Sequence, residues 1–337
     1  MNFDEFVTEM KERIKDYLPE EYADATIEIA ETRKLNAEYP ALIIRREGQM
    51  IAPSIDLDTL YRQLEICSME EVLEQTAEIA QRRPEGLNLD VFTDYEAAKD
   101  QLFIRISDAE KNKAVLADVP HTEVNGLAIT YHVMAEVEEN EMGSSMITNQ
   151  IMEKFGITKE QLHADAMANS PRILPPHIES MESMLSSMMG FGAAKAVPMS
   201  FAEQLADVEI NRDGGMAVLT NSQKVNGAAV MFYPDVMEQI GDSQQVNIFI
   251  LPSSTHEVIL VPDNGSMKLK DLEDMVKSIN ASEVAPKDRL SDTVYHYDFK
   301  EKLLEKASDY ENRTRDDVSD SADAPKAKQK KEKDRER

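Results

Sequence analysis

The apolar runs of this chain are strand-sized, and that restricts its fold more than any other feature. AAVMFY at 228–233 and VILVP at 258–262 are among the longest. A membrane-spanning helix needs roughly 18–20 consecutive apolar residues, far more than these. Between the runs lie stretches with helical spacing, and the connections are too short for the crossovers that parallel neighbours demand. Short apolar strands, amphipathic helices and tight connections predict an α+β fold with a mainly antiparallel sheet and flanking helices.

The individual elements follow from period and caps. Phe3, Phe6, Val7, Met10, Ile14 and Tyr17 recur at helical intervals and mark an amphipathic opening helix. Ile27 and Ile29 alternate with Glu28, and ALIIRR follows at 41–46, so two strands are expected there. Ser68 with Glu71 and Thr93 with Glu96 have the capping-box spacing, which opens helices near 69–82 and 94–101. LFIRIS then reads as a strand, 108–117 as a short helix and LAITYHVMA at 127–135 as a strand. Helices follow near 144–155 and 158–169, the second capped by Thr158 with Gln161. Pro171, Pro175 and Pro176 should break the chain after them.

The second half predicts a ββαββα-like order. Strands at about 216–220 and 228–233 flank NSQKVNG with its turn dipeptide Asn226-Gly227. A helix from Pro234 to Ile240 leads to NIFIL and EVILV, which read as a hairpin around PSSTH. A helix near 268–280, a strand at VYHYDF and a short helix ending near Ala307 complete the body. VNGLAITY at 124–131 and VNGAAVMF at 225–232 echo one another only briefly, as expected of two similar strand entries.

Three regions result: an N-terminal α+β region at 1–117, a C-terminal α+β region at 118–307 with a mobile methionine-rich insert near 171–199, and a charged tail at 308–337. The tail holds nine acidic and nine basic residues, with one valine and one tyrosine as its large apolar content. Such a segment cannot bury enough surface to offset its ordering entropy, so disorder and little contribution to stability are expected. Its charges cancel, which leaves the net charge of −27 (64 acidic against 37 basic side chains) on the body. That balance disfavours non-specific contact with nucleic acid or an anionic membrane. The N-terminus MNFDEFVTEM lacks the basic and apolar regions of a signal peptide. With Cys67 as the single thiol, no intrachain disulfide can form, and a cytoplasmic protein is expected.

The search for chemistry is mostly negative. His256-Glu257 suggests a zinc-protease motif, but Leu260 stands where the second histidine is needed and the surroundings have strand character. Ser254 and His256 could share one side of an extended hairpin, yet no nucleophile elbow surrounds them. Ser253, Ser254 and His256 therefore read as a polar hairpin tip. The histidines at 121, 132, 163, 177 and 296 have no partner at metal-ligand spacing, and His132 and His296 read as packed sheet residues. Glycine-rich phosphate loops are absent. No catalytic, cofactor-binding or metal-ligating residue is assigned.

Methionine supplies the remaining signal. Nine of the 19 methionines fall between Met142 and Met199, and Met181, Met184, Leu185 and Met188 form a helical stripe. A flexible, polarizable stripe can serve as an adaptable partner surface, though a packed amphipathic helix has the same pattern. Met181, Met184 and Met188 are the candidate partner surface.

KNKAVLADVPH at 111–121, VNGAAVMFYPDVMEQI at 225–240 and ILPSSTHEVILVPD at 250–263 resemble a family of unknown function from gut-dwelling Firmicutes, over roughly residues 1–305. The resemblance implies a bacterial intracellular protein, often encoded near mobile-element genes, and brings no catalytic residue. The expected function is a non-catalytic, acidic interaction or regulatory protein whose partner is another, unidentified protein. The alternatives are a hydrolase-like enzyme assembled only in three dimensions and a DNA-mimic protein of a mobile element.

Overall fold

Helix α1 (Phe3–Arg13) begins where Asn2 accepts from the Glu5 amide while the Glu5 carboxylate accepts from the Asn2 amide, each at 2.9 Å. This reciprocal cap satisfies two amides that the first turn cannot pair. Phe6 and Met10 then fall on one buried face, and Ile14 continues it through a tightened last turn. The computed structural model describes residues 1–48, 52–82, 89–137, 142–189, 199–210, 215–252 and 254–322.

By internal packing the chain divides into two units, residues 1–175 with 285–290, and residues 176–284 with the chain from 291 onward. The division falls between Pro175 and Pro176, not near 117. A boundary at 117 would cut a sheet, because β4 (Leu102–Asp108) pairs along its whole length with β6 (Leu127–Val137).

The first unit holds two antiparallel sheets. β1 (Thr26–Lys34) and β2 (Ala37–Arg45) form a hairpin joined at Asn36, which takes a left-handed φ of 61° that asparagine tolerates well. β3 (Ser54–Asp56) completes that sheet. Helices α1, α2 (Leu57–Gln63) and α3 (Met69–Gln81) share a core with it, built around Phe6, Leu42, Ile44, Leu57 and Leu73. Ser68 and Glu71 form the expected capping box of α3. The expected Thr93–Glu96 box does not form. Asp94 caps α4 (Tyr95–Ala98) instead, accepting from the Glu96 amide at 3.0 Å, since its shorter reach already satisfies that donor.

In the second sheet of this unit β6 is flanked by β4, β5 (His121–Val124) and β7 (Met142–Met146). β7 occupies the start of the segment expected as helix 144–155, and α6 begins only at Asn149 (Asn149–Phe155) after the Thr148 cap. α5 is one short turn (Lys113–Leu116). α7 (Lys159–Ile173) packs on β4 and runs through Pro171, where a break was expected. Its last turn is held from outside. Ser170 is buried, donates to the Ala166 carbonyl at 2.6 Å and accepts from the Ile104 amide of β4 at 3.0 Å, while Asn169 donates to the Lys99 carbonyl. These anchors outweigh the single amide that proline removes.

The second unit is a six-stranded antiparallel sheet in the order β13-β12-β10-β11-β9-β8. Its strands are β8 (Pro176–Ser180), β9 (Ala217–Asn221), β10 (Ile248–Leu251), β11 (Val258–Pro262), β12 (Tyr295–Asp298) and β13 (Leu303–Lys306). α8 (Met181–Met188) and α9 (Phe201–Ala206) follow β8, and α10 (Val236–Gln244) precedes β10. α11 (Leu269–Ser282) covers one face through Leu269, Leu272 and Val276, packed on Phe249 and Val261.

Three expectations for this unit are corrected. Residues 228–233 are not a strand: Gly227–Phe232 forms a 3₁₀ turn, buried from Gly227 to Met231. A short continuous apolar run has no period, so packing decides its conformation. Residues before Ala307 are β13 rather than a helix, because Asp298 accepts from the amides of Lys300 and Glu301 and Lys302 takes a φ of 52°, which closes a hairpin. The segment from 308 is helical at its start: α12 runs Ala307–Ala322, and Tyr310 and Arg313 pack on β12 and β13. Residues 323–337 of the expected tail lie outside the described residues, as do 190–198 of the expected methionine-rich insert.

Candidate functional site

Ser254 and His256 do sit in the β10–β11 connection, but that loop is no exposed tip. Ser254 is only 6% exposed and Thr255 only 8%. The loop is bound to the end of β9 and the turn that follows: Thr220 Oγ1 donates to the His256 carbonyl at 2.7 Å, and the Ala228 amide donates to the Thr255 carbonyl at 3.1 Å. Gly227 permits the approach. A Cβ there would stand 2.5 Å from the His256 carbonyl oxygen and 2.6 Å from the Asn221 amide nitrogen. Within the loop the Ser254 hydroxyl accepts from the His256 amide at 2.9 Å, and the His256 Nδ1 lone pair accepts from the Asn226 amide at 3.2 Å. A general base needs its lone pair for substrate, and here Nδ1 spends it on backbone. Ser253 lies outside the described residues.

The methionine stripe lies on α8, which Ser180 caps by accepting from the Ser183 amide at 3.1 Å. Met181 and Met184 are half-buried. Leu185 is 51% exposed and Met189, just beyond the helix, 73%. The Met188 side chain lies outside the described residues. This helix therefore gives one apolar side to the fold and leaves another to solvent. β8, which precedes it, is the sheet edge, and its Ile178 amide is taken by the Gln204 side chain of α9 at 2.9 Å. Such a plug denies an incoming strand one of the edge donors.

Two buried histidines occupy the sheets, as their sequence contexts predict. On β6, burial holds the His132 imidazole well below its ordinary range, and the nearby Arg105 guanidinium pushes the same way. Burial also lowers Arg105 itself, to about 10. Its Nη2 donates to Ser144 Oγ at 2.5 Å and its buried Nε has no hydrogen-bond partner. On β12, His296 is wholly buried, with Nε2 3.1 Å from Asp263 Oδ2 and its ring stacked on Tyr310 at 3.6 Å. His132 Nε2 stands 3.1 Å from the Thr130 hydroxyl, a pair buried within the sheet, and His296 Nδ1 is buried without a hydrogen-bond partner, so each reads as a packed sheet group with no path to substrate rather than a general base. Among the described residues no three His, Cys, Asp or Glu side chains could together hold a metal ion.

Sequence reasoning missed a cavity of about 340 Å³ in the first unit. It lies at the β1–β2 turn, beside α5 and the 285–290 segment. Four cations line it (Arg33, Lys34, Lys111 and Arg289) against one acid, Glu38. The chain as a whole runs 64 acids to 37 bases, so this lining inverts the local charge. Beside the cavity two asparagines lock together. The Asn36 amide donates to Asn112 Oδ1 at 2.6 Å, and Asn112 Nδ2 donates to Asn36 Oδ1 at 2.7 Å. Asn36 Nδ2 then donates to the carbonyls of Lys287 and Arg289, at 3.2 and 3.1 Å. No local motif could have announced the cavity, because its cations come from three separated segments.

The fold so described is a two-unit antiparallel α+β protein without a recognisable catalytic constellation among its described residues. The chain belongs to a family of unknown function, DUF5688, whose model matches residues 3–299. No curated protein and no solved structure matches it. No described helix is long and apolar enough to cross a membrane.

Proposed function

We propose that this protein is a non-catalytic, acidic interaction protein of the cytoplasm whose partner is another protein. The observation that carries the reading is the exposed apolar side of α8, where Leu185 and Met189 face solvent next to half-buried methionines. Apolar side chains gathered on an exposed helix are a common mark of partner surfaces, and thioethers adapt to the shape they meet. The involvement of Ser254 and His256 in their own loop weighs against a hydrolase-like site there. A net charge of −27 weighs against nucleic acid as the partner. Cys67 as a free thiol suits a reducing compartment.

The test places a photo-reactive residue at Leu185 in the full chain and compares cross-linked products in cells with those of a Met184→Glu/Met189→Glu variant. A discrete protein adduct that disappears in the variant, at an unchanged thermal midpoint, is the expected result. An adduct pattern identical in both proteins would refute the reading.

A further inference from the structure

We infer that the cavity at the β1–β2 turn is a binding site for a small organic polyanion, one whose head carries phosphate or paired carboxylates. The first ground is charge. A surface drawn at random from this chain would show more acids than bases, yet the lining presents Arg33, Lys34, Lys111 and Arg289 against Glu38 alone. Internal pairing does not exhaust that charge. Glu38 accepts from Arg33 Nε at 2.7 Å, whereas Lys111 Nζ stands 3.9 Å from Asp108 Oδ2, at the limit of an ion pair. Lys34 Nζ lies 5.5 Å from the Tyr39 ring centroid, a contact that brings no opposite charge.

The second ground is preorganisation. Asn36 uses its backbone amide, its side-chain oxygen and its side-chain nitrogen in the clamp to Asn112 and the 285–290 segment. Asn112 adds a bond to the Asp108 carbonyl at 2.9 Å. The neutral polar groups at the cavity are therefore spent on holding one another, and the ammonium groups of Lys34 and Lys111 are the charges best placed to meet a ligand. A frame fixed beforehand lowers the ordering cost of binding. The third ground is size and wall chemistry. About 340 Å³ falls at the small end of ligand pockets, and Ala37, Val115 and Pro286 give it apolar wall as well as charge. That combination fits a small molecule with an anionic head and an apolar body. The repulsive field of an acidic protein adds selectivity, since only an anion that meets several cations at once gains more than it loses.

The experiment is calorimetric titration of the full-length protein with inorganic pyrophosphate and, separately, citrate, at low and at physiological ionic strength. Saturable binding of at least one is expected, weakening with salt as a charge-dominated site must. A Lys34→Glu/Lys111→Glu variant should bind at least ~10-fold more weakly, because two attractive charges become repulsive ones in contact with the ligand. A control variant, Lys268→Glu/Lys270→Glu at the start of α11, changes the net charge equally and should bind as the parent does. Pyrophosphate binding alone assigns a phosphate head, and citrate binding alone assigns carboxylates. No saturable binding of either, or equal losses in the two variants, overturns the inference.

Discussion

Deleting residues 308–337 should destabilise the second unit substantially, even though the composition of that segment argues that it contributes nothing. The loss can be worked from its contacts. The Tyr310 ring stacks on His296 with centroids 3.6 Å apart and planes 14° from parallel. An aromatic pair of this kind is worth about 0.5–1.5 kcal/mol beyond burial. The Tyr310 hydroxyl accepts from Asn247 Nδ2 at 3.2 Å, a bond contributing about 1 kcal/mol. Arg313 bridges Asp298 at 3.3 Å and Glu305 at 2.7 Å, and both carboxylates are largely buried, so their counter-charge matters more than at an open surface. With the exposure of the wholly buried His296 ring, the sum is about 3 kcal/mol, or roughly 6–12 °C in the midpoint of a unit of this size. Differential scanning calorimetry of three proteins checks it: the parent, a chain ending at 307 and a chain ending at 322. The last removes only residues without large apolar side chains and should move the midpoint by less than about 1 °C. A chain ending at 307 that melts with the parent would refute the docking of α12. A Tyr310→Phe variant should lose about 1 kcal/mol, the hydroxyl's share alone.

Further outcomes follow from single sites. Gly227→Ala should cost about 3 kcal/mol or more in urea unfolding, because its Cβ meets backbone atoms at 2.5 and 2.6 Å that cannot step aside; a cost below ~1 kcal/mol would show that the turn relaxes freely. His132 is held neutral in the folded protein, while the unfolded chain takes up a proton below about pH 6.5. Its contribution is therefore level above that pH and turns against folding below it. Between pH 7.5 and 5.5 the parent should lose about 1 kcal/mol more than a His132→Asn variant, and equal losses would refute the assignment. Gln204→Leu should cost about 1 kcal/mol by leaving the Ile178 amide of the sheet edge unpaired, and should speed that amide's hydrogen exchange; unchanged exchange would refute the plug.

Periodic segments with their own caps were legible from sequence alone. The apolar spacing of α1 survives as Phe6, Met10 and Ile14 in the core, and Ser68 with Glu71 caps α3 as its spacing predicts. The antiparallel class was equally legible, because connection length limits what a strand can pair with. The hairpin of NIFIL and EVILV pairs Ile248 with Pro262 through Leu251 with Ile259. These features depend on neighbours within a few residues, and local physics fixes them.

Other features depend on partners far along the chain. Pro171 continues a helix because Ser170 is held by β4, some 66 residues earlier in sequence. AAVMFY becomes a 3₁₀ turn because Gly227 must admit a carbonyl from the β10–β11 loop. Tyr310 and Arg313 look like members of a solvated tail until β12 and β13 supply the surface that receives them. The basic cavity is the extreme case. Arg33, Lys111 and Arg289 carry no signal singly, and only the folded first unit brings them to one opening. Local spacing thus determined the periodic, self-capped helices and the pairing of neighbouring strands, because those choices rest on backbone hydrogen bonds and one apolar face. Tertiary structure alone decided where charge collects and which apolar runs bend, because both rest on packing and Coulomb terms between residues that sequence order does not place together.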